Sequence, residues 1–238
     1  MINNKKGGIS GVEMIVSFTL FISFIVFIFA FMNPLNMPAS RALLNSLESN
    51  VISNATIEMT LKPFAVNNTY LNEKGATCFT IANEFSPDSF FITDDNGKEV
   101  EHNDAINVKY EQKFYYIHIN KQGIIGKPAT FGACEPLQKE SGYSLSVSRT
   151  EQIFYNKSLQ EMKKQYDTNY IKLKTELKMP ASSDFSIIVF DSEKKQIISM
   201  TKAMPRANIM ARETPIELLN SDDEGVTISK GYMRLLVW

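Results

Sequence analysis

The sequence predicts an α+β fold in which an N-terminal transmembrane helix is followed by a β-rich, sandwich-like lobe and a lobe combining a helix with an antiparallel sheet. Three observations predict this arrangement. The run 14–32 contains no charged residue. Short strand-like segments separated by turn residues fill 52–150. A single amphipathic segment, 158–178, precedes a further series of strand-like segments.

These patterns divide the chain into five expected segments. They are a basic leader (1–8), a transmembrane helix (9–33), a proline break with a helical extension (34–51), a β-rich extracytoplasmic domain (52–150) and an α+β extracytoplasmic domain (151–238). The net charge is only −1, from 25 Lys and Arg against 26 Asp and Glu. Because no basic excess is present, we expect no nucleic-acid partner.

The uncharged run is the expected membrane anchor. About 20 apolar residues in a helix span the hydrocarbon core of a bilayer, which is ~30 Å thick. Lys5 and Lys6 precede the run and Arg41 is the next positive residue. Because positive charge stays cytoplasmic, we expect a single-pass protein of the cell membrane, with the N-terminus inside and 34–238 outside. The alternatives are a buried core helix and a cleavable secretory signal that ends near Pro38-Ala39-Ser40.

The residues before the anchor have two interpretations, of which the first is local. Ser10 and Glu13 have the spacing of a capping box, and a carboxylate is stabilised near the positive end of a helix dipole. The second interpretation uses the whole stretch. A short basic leader ends in Gly8, Glu13 follows five residues later, and the apolar run begins directly after it.

This stretch resembles the class III signal of type IV pilins, pseudopilins and their archaeal relatives. The resemblance covers about 25 residues. Ile9-Ser10-Gly11-Val12 stands where Phe-Thr-Leu-Ile is usual in bacterial forms. A helix interrupted near prolines and continued at 39–51, where Leu43, Leu44, Leu47 and Val51 share one face, is a second point of resemblance.

The resemblance implies that a prepilin-type peptidase cuts after Gly8. Ile9 then becomes the new N-terminus, and Glu13 falls at the fifth mature position. In the family this glutamate neutralises the amine of a neighbouring subunit, and pairing removes the cost of a lone carboxylate near hydrocarbon. The implied partners are the lipid bilayer, the peptidase, and other subunits in a homo-oligomer or filament. The implied function is that of a membrane-anchored structural subunit rather than an enzyme.

Two other functions remain open. The chain could be an uncleaved single-pass surface protein whose outer domain binds a ligand or envelope component, or an anchored enzyme whose site the sequence does not show. The phenylalanines at helical spacing in the run do not decide between assembly and anchoring, because lipid is as apolar as a neighbouring helix. They are Phe18, Phe21, Phe24, Phe27 and Phe31.

Two covalent features are expected in an extracytoplasmic domain. Cys78 and Cys134 are the only cysteines, and an oxidising compartment favours a disulfide between them over two buried thiols. Asn54, Asn67 and Asn156 each begin a sequence that fits the N-glycosylation pattern.

The outer region is expected to be mostly strands. Strands are expected at 52–64, 77–82, 89–93, 106–110, 113–120, 143–148, 185–190, 196–201, 207–213, 214–219, 226–229 and 232–238. The sequence Asp94-Asp95-Asn96-Gly97 predicts a hairpin turn. It lacks the ligand spacing of a calcium loop, so a turn is preferred over a metal site.

No motif in the chain predicts catalysis. The sequence has no nucleophile elbow, Walker loop, HExxH or Rossmann glycine pattern. His118 is expected to be a hydrogen-bonded core residue beside aromatic side chains, and His102 to lie in a polar loop. With two histidines and no Cys/His ligand spacing, we expect no catalytic residue, cofactor or metal.

Overall fold

The computed structural model describes residues 11–32, 37–81, 89–104, 106–205, 209–223 and 225–238. The chain separates into two compact units, 1–43 and 44–238. The first unit contains helix α1 (Gly11–Met32). Helix α2 (Met37–Ala55) starts in the first unit and ends in the second. Among the described residues, no helix combines the length and apolar character that crossing a membrane requires.

The second unit combines three further helices with twelve strands among the described residues. The helices are α3 (Asn68–Lys74), α4 (Asn156–Thr168) and α5 (Tyr170–Glu176). The strands are β1 (Thr56–Val66), β2 (Cys78–Ile81), β3 (Phe90–Thr93), β4 (Asn107–Lys109), β5 (Phe114–Asn120), β6 (Glu135–Leu137), β7 (Tyr143–Leu145), β8 (Arg149–Tyr155), β9 (Phe185–Asp191), β10 (Gln196–Met200), β11 (Met210–Asp222) and β12 (Gly225–Val237). The predicted α+β class is therefore confirmed.

Nine of these strands form one sheet. Their order is β10-β9-β12-β11-β8-β1-β5-β3, and β7 also pairs with β1. Strand β8 crosses the expected boundary at residue 150 and pairs with β1 on one side and β11 on the other. The sheet is therefore continuous through both predicted lobes. A second sheet of three strands, in the order β4-β2-β6, completes the unit.

One face of the large sheet, here called the helix face, carries Phe185, Leu218 and Leu235. Helix α4 packs on this face: the Tyr166 hydroxyl donates a hydrogen bond to the Phe185 carbonyl at 3.0 Å. The second half of α2 also reaches the sheet, since Glu48 accepts a hydrogen bond from the Thr214 hydroxyl at 2.8 Å. Burial of apolar side chains under the helices gives this part of the unit its core.

Further along the same face, the small sheet covers the large one, which gives this end a sandwich-like form. Phe64 of β1 and Tyr115 of β5 stack with their ring centroids 5.2 Å apart, and Phe79 of β2 meets the Tyr115 ring edge-on at 5.5 Å. Aromatic pairs in these geometries add to the stabilisation from burial. Phe79 and Tyr115 are both fully buried.

The opposite face, here called the open face, carries Tyr116, Glu217 and Lys230. Part of this face is covered, in a small cluster that includes Phe91, Ile124 and other buried apolar side chains. Elsewhere on the open face, side chains such as Glu217 and Lys230 are exposed, so this part of the sheet is available for contacts with other molecules.

Several expected elements differ from the structure. The strand expected from residue 52 begins at Thr56, because α2 continues to Ala55. Val51 and Ala55 extend the buried stripe of Leu44 and Leu47, and all four are 0–2% exposed. The helical spacing of this stripe makes helix the better solution there.

The helix expected at 158–178 is two helices. The α-helical pattern is interrupted at Asn169, whose N–H bonds to the Gln165 carbonyl at 2.7 Å and whose side chain accepts from the Lys172 N–H at 3.2 Å. One asparagine therefore ends α4 and caps α5. The four short strands expected after residue 206 are two long ones, β11 and β12. Pro215 does not break β11, because at that point β11 pairs only with β12.

Candidate functional site

The predicted processing residues, Gly8 and Ile9, lie outside the described residues. Helix α1 begins at Gly11, so Glu13 is its third residue, the position that a capping box requires. The structure therefore places Glu13 in the first turn of α1. Of the predicted site residues, the two cysteines are the pair that the fold brings together.

Helix α1 carries many exposed apolar side chains. Between residues 14 and 28, eleven large apolar side chains are 37–72% exposed. Met14, Phe18, Leu20 and Phe24 are all more than half exposed. Soluble surfaces rarely expose a continuous apolar area of this kind without a binding role.

Cys78 and Cys134 lie at disulfide distance, with their Sγ atoms 2.02 Å and their Cα atoms 4.9 Å apart. The predicted pairing is confirmed. Cys78 begins β2, and Cys134 directly precedes β6, the parallel neighbour of β2. The bond therefore links the central strand of the small sheet to one of its edge strands, where both strands begin.

The three possible glycosylation sites have different surroundings. Asn54 is exposed near the end of α2, and its side-chain amide donates to the Asn50 carbonyl at 2.7 Å. Asn67 caps α3 through the Tyr70 N–H and also donates to the Ser141 carbonyl. Asn156 opens α4, and its Oδ1 atom is buried. Asn54 and Asn67 are thus both exposed, whereas the side-chain oxygen of Asn156 is buried.

His118 is a buried core histidine, as expected. Its Nε2 atom lies 2.9 Å from the Thr93 hydroxyl, and its ring stacks on Phe91 with centroids 4.7 Å apart. Burial lowers the pKa of His118 to about 3. It is therefore neutral at physiological pH and does not supply charge to a ligand.

As expected, His102 lies in the connection between β3 and β4, but it is buried, with only 3% of its surface exposed. Its Nδ1 atom is 2.7 Å from the Val100 carbonyl. The neighbouring Glu99 accepts a hydrogen bond from the Val226 N–H at 2.6 Å and another from the Lys127 N–H. By accepting from two backbone N–H groups, the Glu99 carboxylate links its own segment to those of Lys127 and Val226. The polar sequence around His102 gives no indication of this role of Glu99.

Two hairpin turns beside the open face have the same hydrogen bonding. In each, an aspartate Oδ1 atom accepts from the backbone N–H groups two and four residues further on, at 2.9 and 2.8 Å; the aspartates are Asp94 and Asp191. The residue three positions after each aspartate is left-handed: Gly97 with φ 78° and Lys194 with φ 63°. The hairpin predicted at 94–97 is therefore confirmed.

The first of these turns is fixed to the sheet. The Ile228 N–H donates to the Gly97 carbonyl at 2.8 Å. A Cβ atom on Gly97 would lie 2.1 Å from the Ile228 carbonyl oxygen. Glycine is thus needed here for both the left-handed backbone and the close approach to β12.

Between the two turns, the open face forms a cleft of about 540 Å³. Strands β5, β1, β8, β11 and β12 supply its floor, and the Asp94 turn and Ser192 supply its walls. Its polar lining includes the side chains of Asp95, Tyr116, Arg149, Glu151, Glu217 and Lys230. Sequence analysis missed this cleft because its residues come from five separate strands; alternating polar residues along those strands were the available signal.

A second polar cluster lies between α5 and β9 and has a structural role. Asp184 accepts from the Tyr170 hydroxyl at 2.8 Å and from the Lys174 ammonium group at 3.3 Å. Burial and the bond to Asp184 raise the pKa of Tyr170. Although burial acts to raise the pKa of Asp184, its hydrogen bonds from Tyr170 and Lys174 lower it overall. Asp184 also exchanges two backbone hydrogen bonds with Trp238, so the cluster fixes the last residue to the sheet.

Within the described ranges, no group of three or more His, Cys, Asp or Glu side chains is placed to hold a metal ion. No protein family matches the chain, and neither a curated protein nor a solved structure shows significant similarity to it. The functional argument therefore rests on the residues themselves.

Proposed function

We propose that this chain is a membrane-anchored extracytoplasmic structural protein of the type IV pilin-like class. In this proposal, a prepilin-type peptidase cuts between Gly8 and Ile9, and the mature protein assembles through its N-terminal helix. The domain 44–238 then projects from the cell surface. Glu13 pairs with the amine of a neighbouring subunit.

The exposed apolar surface of α1 is the observation that carries the proposal. Residues 14–28 contain no ionisable side chain, and eleven large apolar side chains there are exposed. Full burial is worth about 1.5–3 kcal/mol for each such side chain, so leaving them in water forgoes on the order of 15 kcal/mol. Lipid or the helices of other subunits would cover this surface.

The cysteine pair supports an extracytoplasmic location for the domain. Structural disulfides persist in oxidising compartments and are rare in the cytosol. The pair lies in the second unit, whereas the N-terminal lysines precede the anchor. This distribution agrees with an N-terminus on the cytoplasmic side.

Mass spectrometry of the N-terminus of protein recovered from its native membrane tests the proposal. We expect the mature chain to begin at Ile9. A start at Met1 would instead indicate an uncleaved surface protein, and a start at 39–41 would indicate a secreted protein without an anchor.

Replacement of Glu13 tests the assembly step separately. We expect Glu13→Ala to abolish co-sedimentation of mature subunits as oligomers, because the neighbouring amine loses its partner. Thr19→Ala is the matched control, since Thr19 is a polar residue of the same helix whose hydroxyl bonds to the Ile15 carbonyl within that helix. Unchanged assembly of the Glu13→Ala variant would contradict the proposed role.

A further inference from the structure

We infer that the cleft on the open face of the large sheet binds a saccharide. This site lies entirely in the unit 44–238 and does not depend on the proposed assembly through α1. Its volume of about 540 Å³ falls within the range of small-ligand sites, roughly 300–1,000 Å³.

The frame of the cleft is fixed before any ligand arrives. Five paired strands form the floor, and the Asp94 carboxylate and the Gly97–Ile228 hydrogen bond hold one wall. Because this backbone frame need not be ordered on binding, the conformational entropy lost there is small.

Tyr116 supplies the aromatic surface. Its ring is half-buried on the floor, and the apolar side chains of Leu61 and Ile228 also line the cleft. No described residue bonds to the Tyr116 hydroxyl, whereas the hydroxyl of its neighbour Tyr115, on the other face of β5, donates to the Lys109 carbonyl. A tyrosine with an apolar face and an unused hydroxyl suits a pyranose, which presents a C–H face and a rim of hydroxyls.

The polar groups of the cleft carry both signs of charge. Glu217 and Lys230 face each other across β11 and β12 and are exposed, and no ion pair joins either of them to a described residue. Arg149 pairs with Glu151 through its Nε atom. Carboxylate and guanidinium groups can each form two parallel hydrogen bonds, the geometry that neighbouring sugar hydroxyls offer.

The charge balance and the position of the cleft argue against other ligands. Four carboxylates and two cationic groups line it, so a phosphate or nucleotide would meet net negative charge. An extended peptide usually adds to the edge of a sheet, but this cleft lies on a face whose floor strands are already paired. A neutral or amino sugar fits both constraints.

The test uses the full chain in a detergent without a sugar headgroup, applied to an array of immobilised neutral and amino oligosaccharides. We expect retention on at least one oligosaccharide and a loss of affinity of about tenfold or more for Tyr116→Ala. Glu217→Gln, at an exposed position, should weaken binding without affecting folding. Tyr232→Ala is the matched control, because Tyr232 lies on the same face but outside the cleft.

Three results would overturn the inference. They are no retention on any oligosaccharide, equal binding by Tyr116→Ala and Tyr232→Ala, and retention on a peptide array in place of the sugars. A comparison of urea unfolding midpoints ensures that a loss of binding by Tyr116→Ala reflects the site. If that variant unfolds early, the Glu217→Gln result decides.

Discussion

Helix α1 and the folded unit 44–238 differ in the exposure of their apolar side chains. In α1, Phe18 and Leu20 are 65% and 66% exposed, although they point in different directions around the helix. In the second half of α2, Leu47 and Val51 are fully buried. Both segments are helical, so helix formation alone does not determine burial. The distribution of apolar residues around the helix does: a stripe can pack on one surface, whereas an apolar surface on every side needs a surrounding apolar medium.

The largest expected effect is a difference in the free energy of unfolding between two matched substitutions, one in each region. Phe79→Ala should lower the free energy of unfolding by about 3–5 kcal/mol, because Phe79 is fully buried against Phe64 and Tyr115. Phe21→Ala should change it by less than about 0.5 kcal/mol, because Phe21 is 60% exposed. Urea unfolding of the full chain, followed by near-ultraviolet circular dichroism, measures both. Equal losses in the two variants would contradict the contrast in burial.

The next effect is the loss of stability when the disulfide is removed, and it concerns only the folded unit 44–238, which contains both cysteines. The two cysteines are 56 residues apart, and closing a loop of this size contributes about 4 kcal/mol in the chain-entropy description. A Cys78→Ser and Cys134→Ser double variant should lose most of this stability. Oxidised wild type should fall to the same value when a thiol reductant is added.

The reductant provides the control for that experiment. It should have no further effect on the double variant, which lacks thiols. If α1 anchors the chain as proposed, the reductant should also leave the membrane-bound fraction of the wild type unchanged, because the disulfide lies outside α1. An oxidised wild type no more stable than the double variant would contradict the prediction.

Much of the fold could be predicted from the sequence because many strands carry a local pattern. Strands such as β5 and β9 are rich in apolar and aromatic residues and lie close to their expected positions. The Asp94 turn could be predicted because the Asn-Gly pair has few other conformations. Local chemistry determines these elements.

The missed elements lack such a pattern. Helix α3 buries only Leu71 and therefore shows no stripe. Strand β8 begins with polar and charged residues and buries only Ile153 and Phe154. Its two neighbours, β1 and β11, are distant in the chain, so its place in the middle of the sheet depends on pairing that no local pattern reveals. That pairing is also why two lobes were expected where one sheet exists.

The candidate sites also differ in whether a local sequence pattern reveals them. The processing and assembly residues form a continuous motif, so sequence alone suggests them. The cleft could not be predicted, because Tyr116, Glu217 and Lys230 are brought together only by strand order and register. Alternation predicts that such residues share a face with period two, but it does not show which strands are neighbours.

The smallest expected effect is a dependence on pH of the free energy of unfolding of the unit 44–238. Burial lowers the pKa of His118 to about 3 from its ordinary value of 6.5. The unfolded chain therefore binds a proton more readily, and stability is lost as the pH falls below about 6.5. Between about pH 7 and about pH 5.5, this one group should cost about 1 kcal/mol.

Two variants isolate this contribution in urea unfolding at the two pH values. His118→Phe keeps an aromatic ring beside Phe91 but cannot titrate, so its stability should change less with pH than that of the wild type. Thr93→Val removes the hydrogen bond to Nε2 but keeps the buried imidazole, so its stability should fall with pH as the wild type does. Parallel profiles for His118→Phe and the wild type would show that His118 does not carry the pH dependence. A buried neutral histidine of this kind needs the enclosed interior of the second unit, which the exposed surface of α1 does not provide.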